Sequence, residues 1–517
     1  MVEEISLMDY PRVMINFAPE SPPLKKVEDK TKVNIRYALI APFAFAHIYW
    51  DPKKFELVYE VEEPELNPEE MKNKEEIIYA MEKIISVGEL IEKDQEAFLD
   101  YIDRMLKYIA KELGIYLSYE TYKKIYYYLS RDFLGFNEVE PLLRDYFVED
   151  IECNGVNTPI FIVHRIFRNL KTNVIFRDED KLVNFIEKVA QRAGRYISYV
   201  NPILDGSLPD GSRVNATYTK DITSRGPTFT IRKFTKTPWT PSKLVSIGTM
   251  SPEMIAYLWM LIQYKMNLLI IGGTSSGKTT LLNAIAFFIP PEARVVSIED
   301  TRELNLPREN WLPSVERAAT GIKSEGTIDL FTLLRSSFRQ NPDYVIVGEV
   351  RGKEAYVLFQ GMASGHSSIS TIHADSVETV IKRLETPPIE LPPTLMNVLD
   401  CVCVMTHAMV KKQETRKLKE IVEIVDVDAK GTASTNTPFV WNPSDDNFYF
   451  KKGSKIFEKI AKNNGLKMED VEMEFRKRSQ LIYQMFKKNI FDFNKFQEFV
   501  HEYYKNPEKV SRELGVV

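Results

Sequence analysis

Residues 267–289 read NLLIIGGTSSGKTTLLNAIAFFI. An apolar run is followed by a loop containing Gly272, Gly273 and Gly277, then by apolar residues at helical spacing. Gly272 to Thr279 fits G-x-x-x-x-G-K-[ST], and strand before and helix after is the context this motif requires. The glycines allow the backbone N–H groups of Gly273, Thr274, Ser275, Ser276 and Gly277 to turn toward phosphate oxygens at the positive end of the helix. Lys278 offers its charge to the β- and γ-phosphates, Thr279 offers a hydroxyl to Mg²⁺, and Thr280 continues the loop into the helix. The expected ligands are ATP and Mg²⁺.

A nucleotide loop needs acids for water and metal. RVVSIED (294–300) delivers Glu299 and Asp300 to a strand end, and DYVIVGEV (343–350) delivers Glu349. Open α/β sheets bind ligands beyond the C-terminal ends of their strands. One acid holds the metal while the other orients or deprotonates the attacking water. Together with NLLIIGG and SSISTIH, these runs predict a mainly parallel sheet with helices on both faces over about 243–440.

GHSSISTIHADS (365–376) carries two of the six histidines of the chain. On one straight strand, residues an odd number apart point to opposite faces, so His366 and His373 diverge and do not chelate a metal. The segment lacks the G-x-S-x-G elbow of a serine nucleophile. It reads as a buried strand ending in His373 beside the nucleotide, where an imidazole hydrogen-bonds a phosphate or an acidic neighbour.

The rest of the 517 residues is read more coarsely. Residues 1–75 read as a leader with short strands and an acidic linker, 76–147 as a helical bundle, and 148–235 as a small α/β domain. Pro238 and Pro241 mark a hinge at 236–243. Residues 244–517 form the nucleotide domain, largely helical from about 440. YALIAPFAFAHIYW (37–50) is too short to span a bilayer and reads as a buried strand pair. The acidic start MVEEISLMDYPRV, broken by Pro11, is unlike a signal peptide. A net charge of −5 gives no global basic field for nucleic acid. Cys153, Cys401 and Cys403 make neither a disulfide framework nor a C-x-x-C zinc pair, which fits a reducing, cytoplasmic compartment.

GGTSSGKTT, SIEDTRE, LLRSSFRQNPDYVIVGEVRG and GHSSISTIHADS occur in the order of the Walker A, aspartate, Walker B and histidine boxes of the type II/type IV secretion ATPases, which the chain resembles over about 150–430. The absence of a two-CxxC zinc element, the helical bundle and the long leader are most similar to the motor ATPase of the archaeal flagellum (archaellum) of crenarchaea. An archaeal type IV pilus assembly ATPase is the alternative.

The resemblance implies a RecA-like domain behind a smaller α/β domain. It assigns Lys278 and Thr279 to the Walker A pair, Glu299 to the general base, Glu349 to the Walker B acid near Mg²⁺, and His373 to the histidine box. It implies that arginines of the smaller domain, with Arg213, Arg225 and Arg232 as candidates, reach the γ-phosphate. Gly352 stands where the family often has an acid. The resemblance further implies a homohexamer at the inner face of the cell membrane. There it would act on a polytopic membrane platform protein with accessory archaellum motor proteins, driving filament assembly with or without rotation, and no nucleic acid is expected. A DNA-translocating motor would need a basic pore with aromatic stacking residues, for which only EFRKRSQLIYQMFKK (474–488) offers a candidate. A nucleotide sensor without turnover would need a degraded acid or lysine, and both are present.

Overall fold

The computed structural model of the protein describes residues 7–516 apart from 21, 23, 25–26, 28, 85–94, 235–236, 318–325, 411–412 and 452. The chain divides into two compact units, Met1–Phe234 and Thr235–Val517. The expected hinge begins outside the described residues, and Pro241 opens the helix Pro241–Ser246, capped by the Thr240 hydroxyl.

Unit 1 contains β1 (Asn34–Ile40), β2 (Ala44–Asp51), β3 (Glu56–Glu62), β4 (Val148–Cys153), β5 (Pro159–His164), β6 (Arg168–Ile175), β7 (Ile203–Ser207), β8 (Arg213–Thr217) and β9 (Thr228–Arg232). They form one sheet in the order β1-β2-β3-β6-β5-β4-β9-β8-β7. Every pairing is antiparallel except β3 with β6. The run 37–50 forms β1 and β2, with Ala44, Ala46 and Ile48 buried at every second position.

Strands from residues 34–62 thus share a sheet with strands from 148–232. The joint is short, Val58 opposite Lys171 and Tyr59 opposite Thr172. It is supported by the buried Asp145, whose Oδ2 accepts the hydroxyls of both Tyr37 and Tyr59 at 2.6 Å. Such a non-local pairing leaves no local signature in sequence. The intervening helices Pro68–Ile84, Gln95–Glu112 and Tyr119–Leu134 close their own core around Ile77, Phe98, Ile102, Tyr122 and Tyr126. Part of the helical run read from 76 onward lies outside the described residues.

Unit 2 contains β10 (Leu268–Ile271), β11 (Val295–Glu299), β12 (Trp311–Val315), β13 (Tyr344–Val350), β14 (Ser367–Ile372), β15 (Cys401–Val410), β16 (Gln413–Val427), β17 (Ala433–Asn442) and β18 (Asn447–Phe450). The order is β12-β11-β13-β14-β10-β15-β16-β17-β18. The first six strands are parallel, and β16 to β18 extend the sheet as an antiparallel meander. This is the RecA-like α/β arrangement expected, with the meander added.

Both faces of the parallel part are covered, and β10 shows how. Leu268 and Ile270, with Cys401 and Cys403, enter a core with helices Pro252–Gln263 and Lys278–Ala286. Leu269 and Ile271, with Val402 and Val404, enter a core with helices Leu330–Ser337, Glu354–Ala363 and Val377–Glu385. Every residue from Met254 to Ile262 is buried, as befits a helix apolar on all sides. The tail forms helices from Lys455 onward. Its first turn is pinned by the buried Glu423, which accepts from Tyr257 (2.5 Å), Asn436 (2.6 Å) and the Lys455 N–H (2.8 Å). Among the described residues no helix is long and apolar enough to cross a membrane.

Candidate active site

The loop after β10 is held open by backbone geometry that side chains would block. Gly272 has φ +153°, and a Cβ there would lie 2.5 Å from both the Met405 carbonyl oxygen and the Ser276 hydroxyl. Gly277, at φ +96°, starts the helix Lys278–Ala286. Ser275 holds φ +57° without being a glycine, a conformation stored at ligand-binding turns. The Ser276 hydroxyl donates to the Gly273 carbonyl at 2.8 Å.

The Lys278 amine folds back across the loop and donates to the carbonyls of Gly272 (3.0 Å) and Gly273 (2.9 Å). Burial lowers its pKa, Glu349 opposes that shift, and Arg351 adds to it. A desolvated ammonium resting on neutral carbonyls is under-compensated, and phosphate oxygens would satisfy it better. Thr279 and Thr280 sit half-buried in the first helical turn. The Thr279 carbonyl accepts from Asn283, so its peptide is fixed.

The two acids come together from adjacent parallel strands. Glu299 ends β11, which pairs with β13. Its side chain fits because residue 348 is glycine: a Cβ there would lie 3.1 Å from Glu299 Cγ. Glu299 is 1% exposed. Its Oε1 accepts the N–H groups of Glu303 (2.8 Å) and Leu304 (2.9 Å), while its Oε2 is buried with no partner. Burial pushes this carboxyl up to about 7, against the pull of those two amides. One oxygen is therefore locked and the other is left to accept a proton near neutral pH.

Glu349 is half-buried and accepts from Arg351 Nη2 at 2.6 Å, and the same guanidinium lies 3.7 Å from Asp300. Sequence reasoning gave Arg351 no role, and its only signal was a cation two residues beyond the acid. The Arg351 and Gly352 N–H groups both donate to Glu354 Oε1 at 2.6 Å, so Glu354 shapes the turn at the position where the family often has an acid.

His373 follows β14, and its Nε2 lies 3.0 Å from the Thr274 hydroxyl in the loop. Its carbonyl accepts from Arg383 at 2.8 Å. The hydroxyl row before it serves the sheet. Ser370 donates to the Val347 carbonyl (3.0 Å) and Thr371 to the Gly348 carbonyl (2.7 Å), stitching β14 to the strand that bears Glu349. His366 lies before the other end of β14 and packs on Phe338 at 4.9 Å between ring centroids.

The three candidate arginines belong to unit 1. Arg213 and Arg232 are direct cross-strand partners on β8 and β9. Like charges in that position repel, and each is offset by its own acid: Arg213 by Asp205 and Arg232 by Asp150, both at 3.2 Å. Arg225 is exposed in the turn at the other end of this strand pair, and its carbonyl accepts from Val156 N–H at 3.1 Å. The fold brings Arg213 and Arg232 together and separates them from Arg225.

Residues 135–437, more than half of the chain, match the family described as type II/IV secretion system protein. Uncharacterized protein MJ0900 of Methanocaldococcus jannaschii is 35% identical over 96% of this chain and 93% of its own length. The conjugal transfer protein TrbB of Rhizobium radiobacter is 32% identical over 43% of this chain and 68% of its own. Of solved structures, the VirB11 ATPase from the Brucella suis type IV secretion system is 25% identical, with TM-score 0.29, covering 55% of this chain and 92% of that one. The pilus retraction motor PilT with bound ADP is 16% identical, with TM-score 0.39, covering 66% and 90%. The box motifs are thus carried by a sequence that matches the family across both units, and the chain belongs to the type II/IV secretion system protein family.

Proposed function

We propose that this protein is a Mg²⁺-dependent ATP hydrolase working as a hexameric motor. It would energise assembly of an archaeal flagellum filament from the inner face of the cell membrane, through a polytopic platform protein and accessory motor proteins. Archaeal type IV pilus assembly is the alternative within the same mechanism. The observation that carries the hydrolase reading is that one glycine loop holds a desolvated Lys278 acted on by Glu349 and touched at Thr274 by His373, with Glu299 at the same end of the strand beside Glu349's.

ATP fits the loop because Lys278 needs an anion and Gly272 leaves the cradle clear. Thr279 and Glu349 would hold Mg²⁺, which supplies charge neutralisation at the β- and γ-phosphates. Lys278 leaves the loop carbonyls for the phosphates. Glu349 leaves Arg351 to face the metal. Glu299, locked through Oε1, takes the proton of the attacking water on Oε2. His373, joined to Thr274, registers whether a γ-phosphate fills the loop. At least one of Arg213, Arg225 and Arg232 would complete the charge around it, and the pairing of Arg213 with Arg232 favours those two.

The test is MgATP turnover by the full chain and by Lys278→Ala. The parent hydrolyses ATP and the variant loses hydrolysis; equal rates would overturn the site. Light scattering with a bound ATP analogue reads the ring, and a monomer at every concentration counts against it. Flagellin-like genes beside this one would favour the flagellar pathway, and pilin-like genes alone the pilus.

A further inference from the structure

The strand β10 lies between β14 and β15, so its loop has two flanks. The β14 flank carries the acids and His373, as described above. The other flank is built by β15 and β16. Their register shifts after Val404: Val404 faces Glu420, but Met405 faces Leu418, leaving Lys419 as the extra residue. A bulge of this kind re-aims the residues that follow it, and such bulges recur beside active sites.

Beyond the bulge, two side chains of this hairpin close on the loop. The carbonyl oxygen of Met405 lies 2.5 Å, and its Cβ 3.1 Å, from where a Cβ on Gly272 would stand. Its Cε lies 3.4 Å from the same point on Gly277. Arg416, two positions from Leu418 and therefore on its face of β16, brings its Cδ to 3.5 Å and its Cβ to 4.0 Å of the Gly277 position. The half-buried Arg416 stem is laid along the residue that precedes Lys278, at the start of the loop's helix.

A phosphate chain on this loop has a direction. Its γ end must face the acids, which stand on β11 and β13 beyond β14. Its nucleoside end then points to the opposite flank, toward β15 and β16. Lys278 serves the β,γ end, and Arg351 stands with the acids. On the nucleoside side, Arg416 is the cation whose stem, among the described residues, lies against the loop at Gly277. We infer that Arg416 is a nucleotide-binding residue whose guanidinium pairs with the α-phosphate, and that Met405 fixes the loop turn against which it lies. The inference rests on the ATPase reading above. A planar, permanently charged fork suits a phosphate with two accessible oxygens, and its stem is already ordered by packing on Gly277.

Calorimetric titration of the full chain with MgADP tests it, using the parent, Arg416→Gln, Arg416→Met and Arg416→Lys. A charge-assisted hydrogen bond is worth about tenfold or more in affinity, so the Gln and Met variants should bind MgADP at least about tenfold more weakly. Arg416→Lys keeps the charge but not the fork, and should bind more weakly than the parent and more tightly than the Gln variant. Nucleotide-free thermal unfolding reports whether each variant is folded, and Arg416→Met retains an unbranched stem on Gly277 should the Gln variant fail to fold. Parent-like affinity in Arg416→Met or Arg416→Gln overturns the inference, and a Lys variant as weak as the Gln variant overturns the phosphate contact. A parent that binds no MgADP overturns the ATPase reading itself, a result distinct from both.

Discussion

The two nine-stranded sheets of this chain bury their strands in opposite ways. In unit 1, β5, antiparallel to both its neighbours, alternates between buried and half-buried along its length, as a strand with one covered face should. In unit 2, β10, β11 and β14 are buried at every position, because parallel strands are covered by helices on both sides. The consequence for chemistry is directional. Parallel strands end together, so the loop after β10, Glu299, Glu349 and His373 collect at one edge. Antiparallel strands distribute their ends, and in unit 1 β8 and β9 bring Arg213 beside Arg232, each paired with an acid of its own sheet. On the ATPase reading proposed above, the acids and the lysine are the working set and the arginines a reserve held by counter-ions.

The largest effect tests that division of labour. If the reserve arginines complete the site, Arg213→Ala or Arg232→Ala lowers kcat by on the order of 10³–10⁵ with a smaller change in nucleotide affinity. Arg225→Ala, at the other end of the strand pair, stays near the parent. Steady-state turnover of the three variants reads this directly. A loss confined to Arg225→Ala would reverse the assignment, and three parent-like rates would leave unit 1 without a catalytic role.

Next come the acids, about 10²–10⁴-fold for removal of general-base or metal-holding charge. Glu299→Gln and Glu349→Gln should both bind nucleotide and lose most hydrolysis. Glu349→Gln also releases Arg351. A variant that binds no nucleotide would place that acid in holding the loop instead.

The third effect concerns stability and separates the buried acid from the paired one. The Glu299 carboxyl is raised from the ordinary 4.5 to about 7 by burial. Its neutral form is preferred in the fold, so its contribution to stability is complete below pH 4.5 and is lost as pH rises to about 7. With each tenfold change in proton affinity worth about 1.4 kcal/mol, the loss is on the order of 3 kcal/mol. Glu299→Gln has no charge to bury. Its unfolding temperature relative to the parent should rise from pH 5 to pH 8, and a difference independent of pH would refute the burial argument.

What could be read beforehand follows the same contrast. The glycine loop, the strands β10, β11, β13 and β14, and the acids at their ends were legible because a buried parallel strand is a continuous apolar run and the loop has fixed spacing. The meander was not. Leu418, Ile421, Val422 and Val425 recur at three- and four-residue intervals, a helical period, although the segment is the long strand β16. The sharing of one sheet by residues 34–62 and 148–232 was hidden too, since its joint depends on Asp145 meeting two distant tyrosines. Arg351 sat in the Walker B box without a role of its own, and Met405 and Arg416 lay outside the four boxes, being brought to the loop by a bulge and a hairpin.

The smallest effect separates two histidines that the sequence sets seven positions apart. His373 touches Thr274, one of the loop residues whose N–H groups would face phosphate, through a 3.0 Å contact. Its own carbonyl is held by Arg383, which fixes the backbone that carries the ring. Loss of the ring does not remove a charge from the phosphates, since Lys278 remains. On the proposed reading, it removes the link by which filling of the loop is passed to the end of β14. His373→Ala should therefore bind MgADP within about threefold of the parent, a change of under 1 kcal/mol, yet turn over more slowly. His366 packs on Phe338 at the opposite end of the same strand, and its loss costs packing rather than coupling. His366→Ala should lower the unfolding temperature and leave turnover per folded molecule unchanged. Paired measurements of affinity, turnover and unfolding on the two variants decide the matter. If His366→Ala slows turnover as much as His373→Ala, the strand as a whole matters and the Thr274 contact does not.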